Sequence, residues 1–121
     1  MNAKRLSLSA LRSTPWGNAD QITHHGPDIA FVSTPSHGGF VIEQAKLEQM
    51  PEPYRSFKTF AGPGYYEEDC DQALIPCAFP ERFTAAQVKD AAAAIVGYQR
   101  INPDYYGVAI TAAAQALLEG V

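Results

Sequence analysis

Two short hydrophobic runs separated by turn-forming residues predict a β-hairpin in the first half of the chain. The runs Ile29–Val32 and Phe40–Ile42 are rich in β-branched and aromatic side chains, which favour strands. The stretch between them, Ser33–Gly39, contains one proline and two glycines that can adopt positive φ angles in a turn. We therefore expect an antiparallel hairpin with an ordered, polar tip.

A third strand-like segment precedes this hairpin. Gln21–His25 has strand-like composition, and Gly26-Pro27-Asp28 is a turn signal that leads into Ile29. Strands joined by short turns form an antiparallel meander. The predicted sheet is therefore a three-stranded antiparallel meander.

Helix-forming and irregular segments follow the meander. Glu43–Met50 contains good helix formers and ends before Pro51. Residues 51–64 are predicted to be irregular because prolines and glycines recur in them. Three aromatic residues of this stretch are expected to cover the sheet or a helix: Tyr54, Phe57 and Phe60.

The next predicted helix runs from Glu67 to Phe79. Its apolar positions recur at helical spacing, and Pro76 is expected to kink the helix or end it near Ile75. The predicted buried stripe consists of Cys70, Ala73, Leu74, Cys77 and Ala78.

Two alanine-rich helices are predicted at the end of the chain. Thr84 and Gln87 form a capping-box pattern that opens the first, which runs to about Tyr98. Asn102-Pro103-Asp104 has the pattern of a second helix start. The expected buried positions are Val88, Ala91 or Ala92, Ile95 and Tyr98 on the first helix, and Val108, Ala109, Ala112, Ala116 and Leu117 on the second. Alanines allow close approach, so we expect an antiparallel helix pair.

These elements predict an α+β fold in which the three-stranded antiparallel meander packs against the C-terminal helices. Residues 1–13 are expected to form a flexible N-terminal segment, and residues 14–121 a single α+β domain. The chain has 121 residues, 46% of them hydrophobic, which suffices for a core without metals or disulfides.

Charge and cysteine usage narrow the expected partners and location. The formal net charge of −4 argues against direct nucleic-acid binding and favours a protein partner with a basic surface. Cys70 and Cys77 are seven residues apart on the predicted helix, too far for a disulfide, so both are expected to be reduced. We expect a cytoplasmic protein without a membrane segment.

The hairpin tip contains the first candidate site, Ser36 and His37. In one interpretation it is the centre of a small hydrolase or ligand-binding domain, with either Ser36 as nucleophile or the amides of Gly38 and Gly39 binding an anion. In the other, Thr34 and Ser36 only stabilise the turn through side-chain to backbone bonds. Adjacent residues do not place a base against a nucleophile, so we favour the structural interpretation and a non-enzymatic protein.

A metal site is not expected. His24, His25 and His37 with Asp28 or Glu68 would supply ligands, but consecutive residues of a strand point to opposite faces. We therefore predict neither a metal nor another cofactor.

An acidic run is the second candidate site. Four acids fall within five positions: Glu67, Glu68, Asp69 and Asp71. They would complement the dipole of a helix that starts there, or they would form an acidic patch that docks on a basic partner. The preceding residues Tyr65 and Tyr66 are of a type that anchors interfaces, and at least one of them should be exposed.

Four segments resemble a family of uncharacterised small domains from phages, plasmids and proteobacteria, the DUF7007-like domains. They are Thr14-Pro15-Trp16-Gly17-Asn18-Ala19, Ser33-Thr34-Pro35-Ser36-His37-Gly38-Gly39, and Tyr66-Glu67-Glu68-Asp69-Cys70-Asp71 with Phe79-Pro80. The resemblance covers about residues 14–80 and implies no established activity. It implies a genetic context, since small acidic proteins of mobile elements often bind host defence machinery.

The expected function is a non-enzymatic interaction module of a mobile genetic element, such as an anti-CRISPR or anti-restriction inhibitor that binds a basic partner surface. The expected partner-binding residues are Ser36, His37, Tyr65, Tyr66, Glu67, Glu68, Asp69 and Asp71. The alternatives are the hydrolase or ligand-binding domain at Ser36-His37-Gly38-Gly39 and a homodimer formed through the alanine-rich helices.

Overall fold

A computed structural model describes Leu11 and residues 13–120. The chain forms two compact units. The sheet unit comprises the chain up to Gln49 together with Lys58–Gln72, and the helical unit comprises Met50–Phe57 together with the chain from Ala73 onward. The predicted flexible segment, residues 1–13, lies almost wholly outside the described residues. A single domain over residues 14–121 remains a prediction.

The described part of the sheet unit contains six strands in two antiparallel sheets. A small ribbon pairs β1 (Ser13–Thr14) with β2 (Gly17–Asn18). The main sheet has the order β3-β4-β5-β6. Its strands are β3 (Gln21–His24), β4 (Ile29–Ser33), β5 (Gly38–Ile42) and β6 (Tyr65–Glu67). The predicted α+β class and the antiparallel meander are confirmed, and the meander gains a fourth strand.

The two glycines of the hairpin belong to a strand and not to the turn. Gly38 and Gly39 begin β5, both are buried, and neither has a positive φ angle. Glycine is needed at both positions because atoms of other residues lie too close to leave room for a side chain. A Cβ at Gly39 would lie 2.8 Å from Trp16 Cη2 and 2.9 Å from Glu67 Cα, and it would overlap the Tyr66 carbonyl oxygen. One at Gly38 would lie 2.5 Å from the Val32 carbonyl oxygen.

The acidic run does not begin a helix, contrary to the sequence prediction of a helix from Glu67. Tyr65–Glu67 pairs with β5 as a strand, a turn follows, and a 3-10 turn over Asp71–Ala73 leads into α2 (Leu74–Ala78). Strand pairing of two aromatic residues therefore prevails over the helical pattern. The late start also places Pro76 in the first helical turn, where its missing N–H is not required.

Another short helix, α1 (Gln44–Leu47), follows β5 where a helix over Glu43–Met50 is predicted. In the helical unit, short 3-10 turns over Tyr54–Ser56 and Pro80–Arg82 accompany α2. The long helices are α3 (Ala85–Tyr98) and α4 (Val108–Gly120), which pack against each other.

The predicted start of α3 is confirmed. The Gln87 amide donates to Thr84 Oγ1 at 3.1 Å, and the Thr84 amide donates to Gln87 Oε1 at 2.9 Å. The expected stripe is present in part: Tyr98 is only half-buried, and the buried positions are Val88, Ala91, Ala92 and Ile95.

The predicted start and stripe of α4 are wrong. The helix begins at Val108 and not near Asn102, because Gly107 has a φ of 89° that ends any helix running through it. The buried positions are Ile110 and Ala114, whereas Val108 is 87% exposed.

Candidate functional site

The hairpin tip is fixed by a network of hydrogen bonds to the Trp16 turn. Thr34 Oγ1 lies within hydrogen-bond distance of two carbonyl oxygens, 2.9 Å from that of Trp16 and 2.6 Å from that of His37. Ser36 Oγ donates to the same Trp16 carbonyl at 3.1 Å. The His37 amide donates back to Thr34 Oγ1 at 3.1 Å. These side-chain to backbone bonds are those of the structural interpretation of the tip.

The bonding of Ser36 bears on the hydrolase alternative. A catalytic serine must give its proton to a neighbouring base. Here the Ser36 hydroxyl donates to a backbone carbonyl, and no hydrogen bond joins it to His37 in the described structure. The Ser36 hydroxyl is thus bonded to the backbone in this structure, as the structural interpretation of the tip expects.

His37 faces two carboxylates across the sheet. Its Nδ1 atom lies 3.9 Å from Glu67 Oε2 and 3.7 Å from Glu68 Oε2. These are ion-pair distances and too long for direct hydrogen bonds. The pairing of β5 with β6 produces this arrangement, since Gly39 is opposite Glu67 and the Glu68 amide donates to the Gly38 carbonyl at 2.9 Å. The hairpin tip and the acidic run, which are far apart in sequence, therefore form one surface.

Three of the acids form what we call the acidic patch: Glu67, Glu68 and Asp69. The side chain of Glu67 is 19% exposed and that of Glu68 is 42% exposed, and Asp69 is exposed. Within the described ranges, no lysine or arginine forms an ion pair with any of them. The patch therefore presents negative charge that no described lysine or arginine compensates.

The fourth acid lies in the interior. Asp71 is 1% exposed, and its carboxylate accepts a hydrogen bond from the Phe60 amide at 3.0 Å. Asp71 was expected to bind a partner, but its burial removes it from any contact surface. Burying a carboxylate is costly unless its oxygens accept hydrogen bonds, which is the role of the Phe60 amide.

Of the two tyrosines, Tyr66 is buried and Tyr65 is half-buried, whereas one of them was expected to be exposed. Tyr66 is 3% exposed, and burial, assisted by the negative charge of Asp71, raises its pKa to about 12. Tyr65 is half-buried, and its ring meets that of Trp16 edge to face at 5.9 Å. Of the two, only Tyr65 retains accessible surface for a partner.

The other candidate residues for metal binding or nucleophilic chemistry are His24, His25 and the two cysteines. His24 lies in β3, and the His25 ring contacts the Phe40 ring edge to face at 5.7 Å. No three His, Cys, Asp or Glu side chains among the described residues are placed to bind a metal ion. Neither cysteine forms a disulfide, and burial raises the pKa of the Cys77 thiol to about 12, which makes it a poor nucleophile.

A family model described as a domain of unknown function, DUF7007, matches residues 9–119. The chain belongs to the DUF7007 family. The match confirms the resemblance and extends it to the C-terminal helices. No curated protein and no solved structure matches the chain.

Within the sheet unit, the family segments 14–19, 33–39 and 66–71 are in contact with one another. Trp16 supplies the carbonyl that binds Thr34 and Ser36, and its ring packs where Gly39 leaves room. Sequence reasoning overlooked this role of Trp16, although a lone tryptophan in a turn beside glycine was a signal for it. In this DUF7007 chain the motifs therefore form the tip and position the acidic patch beside it.

No helix in the described part of the DUF7007 chain is both long enough and apolar enough to cross a membrane.

Proposed function

We propose that this DUF7007 domain is a non-enzymatic interaction module that binds a basic surface of a protein partner. The contact surface consists of the acidic patch with His37 and Ser36 at the hairpin tip. The observation that supports this most strongly is the pairing of β5 with β6, which sets these residues side by side.

The position of the acids strengthens the proposal. Acids at the first turn of a helix need no further explanation, because they complement the helix dipole. Glu67 ends a strand, and Glu68 and Asp69 lie in the turn after it, so that explanation does not apply to the patch. Uncompensated carboxylates on a fixed surface attract a basic partner and raise its association rate.

The genetic context suggested by the sequence gives the proposal a biological setting. A small acidic protein of a mobile element that binds a host protein would act in the cytoplasm as an inhibitor of a defence system, of anti-CRISPR or anti-restriction type. Such an inhibitor needs affinity and specificity but no reactive group, which agrees with a serine committed to a backbone carbonyl.

Charge reversal tests the surface. The variant Glu67→Lys/Glu68→Lys/Asp69→Lys is expected to lose binding to its host partner, by roughly a hundredfold in affinity or more, because close interfacial charge pairs are each worth about 1.5 kcal/mol or more. Cross-linking and affinity purification from host cells, quantified by mass spectrometry, identifies the partner with the unaltered chain. The affinity of the purified partner for the unaltered chain and for the variant then measures how much binding is lost.

A second triple variant supplies the matched control. Reversal of Asp90, Asp104 and Glu119, which are exposed acids of the helical unit, changes the net charge by the same amount, from −4 to +2. This control is expected to retain the partner. Equal retention by both triple variants, or equal loss from both, would show that the acidic patch has no specific role.

A further inference from the structure

Phe60 is the exception among the three aromatic residues that were expected to cover the sheet or a helix. Tyr54 is buried, and the Phe57 ring packs against those of Tyr105 and Tyr106. Phe60 is 85% exposed. Single exposed hydrophobic residues are common on protein surfaces, so exposure alone assigns no role. Phe60 differs from such residues because hydrogen bonds hold its backbone in place.

Phe60 lies on a loop that hydrogen bonds hold in place. The buried Asp71 carboxylate accepts from the Phe60 amide at 3.0 Å, and the neighbouring Thr59 hydroxyl donates to the Gly62 carbonyl. The Tyr65 amide donates to the same carbonyl at 3.1 Å. Because the loop backbone is already ordered, a partner that covers the ring would not have to order it.

The same bond joins the Phe60 loop to the segment that contains the acidic patch. Asp71 follows Asp69 by two residues, so the loop that contains Phe60 adjoins the turn that contains Glu68 and Asp69. An exposed apolar ring on a loop next to a charged turn has the composition of a protein interface, in which an aromatic anchor is surrounded by a polar rim.

We propose that Phe60 is the apolar anchor of the contact surface and inserts into an apolar site on a protein partner. Lysine or arginine side chains border that site and face the acidic patch. The lysine or arginine side chains around the apolar site, which we call the basic border, rest on the proposed function. Insertion of the Phe60 ring is a separate claim with a separate test.

A synthetic probe of this chemistry makes the test independent of the partner's identity. The probe is a fluorescein-labelled helical peptide with leucines along one face and arginines on both flanks. A second peptide has serines in place of the leucines, and a third has glutamines in place of the arginines. Fluorescence anisotropy gives the affinity of each peptide for the full chain and for its variants.

Phe60→Ser is expected to weaken binding of the leucine–arginine peptide roughly tenfold or more, and to leave binding of the serine peptide unchanged. Phe60→Leu should restore most of the affinity, because it keeps an apolar side chain. Lys58→Ser, at an exposed position two residues away, is the matched control and should change affinity much less. Thermal melts should be unchanged, since the Phe60 ring contributes little to the core.

The outcomes separate the two claims. If Phe60→Ser binds the leucine–arginine peptide as tightly as the unaltered chain does, or if the unaltered chain does not prefer it to the serine peptide, the anchor proposal is overturned. If reversal of the acidic patch weakens binding while Phe60→Ser does not, the proposed function stands without the anchor. If only Phe60→Ser weakens binding, the anchor stands and the basic border does not.

Discussion

Substituting alanine for Gly39 is expected to unfold the sheet unit or to destabilise it by about 3 kcal/mol or more. The added methyl group would overlap the Tyr66 carbonyl oxygen and lie 2.9 Å from Glu67 Cα, and both are backbone atoms of the paired strand. It would also lie 2.8 Å from Trp16 Cη2. Because backbone atoms cannot rotate away, β6 would have to separate from β5. Urea denaturation followed by circular dichroism measures the free energy of unfolding.

Gly97→Ala is the matched control for this substitution. Gly97 lies within α3, and no atom outside its own helix and chain neighbours lies within 4 Å of the added methyl group. Alanine is the better helix former, so this variant is expected to be more stable by about 0.5–1 kcal/mol. A Gly39→Ala variant as stable as Gly97→Ala would contradict the close approach of β6 to β5.

Truncation of Trp16 to alanine is expected to cost about 3–5 kcal/mol of unfolding free energy, the usual range for a buried large aromatic residue. Trp16 is 8% exposed and forms one hydrophobic cluster with buried residues of β4 and β5: Ala30, Val32 and Val41. Its ring also contacts Tyr65. Loss of the ring would leave a cavity over the sheet and loosen the turn whose carbonyl binds Thr34 and Ser36.

Trp16→Phe keeps an aromatic ring in the same place and is expected to lose much less stability. Chemical denaturation by circular dichroism compares the two variants without relying on tryptophan fluorescence. Equal stabilities of Trp16→Ala and Trp16→Phe would indicate that the ring does not pack against the sheet.

Local patterns were sufficient for much of the fold. The hairpin follows from two hydrophobic runs and a turn between them, and β4 and β5 pair as expected. The start of α3 follows from Thr84 and Gln87, whose mutual hydrogen bonds depend only on residues three apart. In both cases the decisive interactions are short-range, so the sequence alone indicates them.

Long-range contacts explain what the sequence did not indicate. The helical pattern from Glu67 was misleading because strand pairing of Tyr65 and Tyr66 with β5 prevails there. The same pairing explains Gly39, whose lack of a side chain is required by atoms distant in sequence. The start of α4 was missed because the conformation of Gly107 outweighs the helix-start signal at Asn102.

The candidate site could likewise be predicted from the sequence only in part. The ordered tip was predictable from its turn-forming residues, and the acids were recognisable as a cluster. Which of them are accessible was not predictable, since the burial of Asp71 and Tyr66 depends on β6 and the Phe60 loop. The contact between His37 and the acidic patch likewise requires the register in which Gly39 is opposite Glu67.

Solution NMR of the isotope-labelled chain tests the pairing of β6 with β5 most directly. The pairing predicts cross-strand nuclear Overhauser effects between backbone protons of Gly39 and Glu67, and slow exchange of the Glu68 amide, which donates to the Gly38 carbonyl. An unbroken series of amide–amide effects from Glu67 to Ala73, with rapid exchange at Glu68, would instead show a helix and would separate the acidic patch from the hairpin tip.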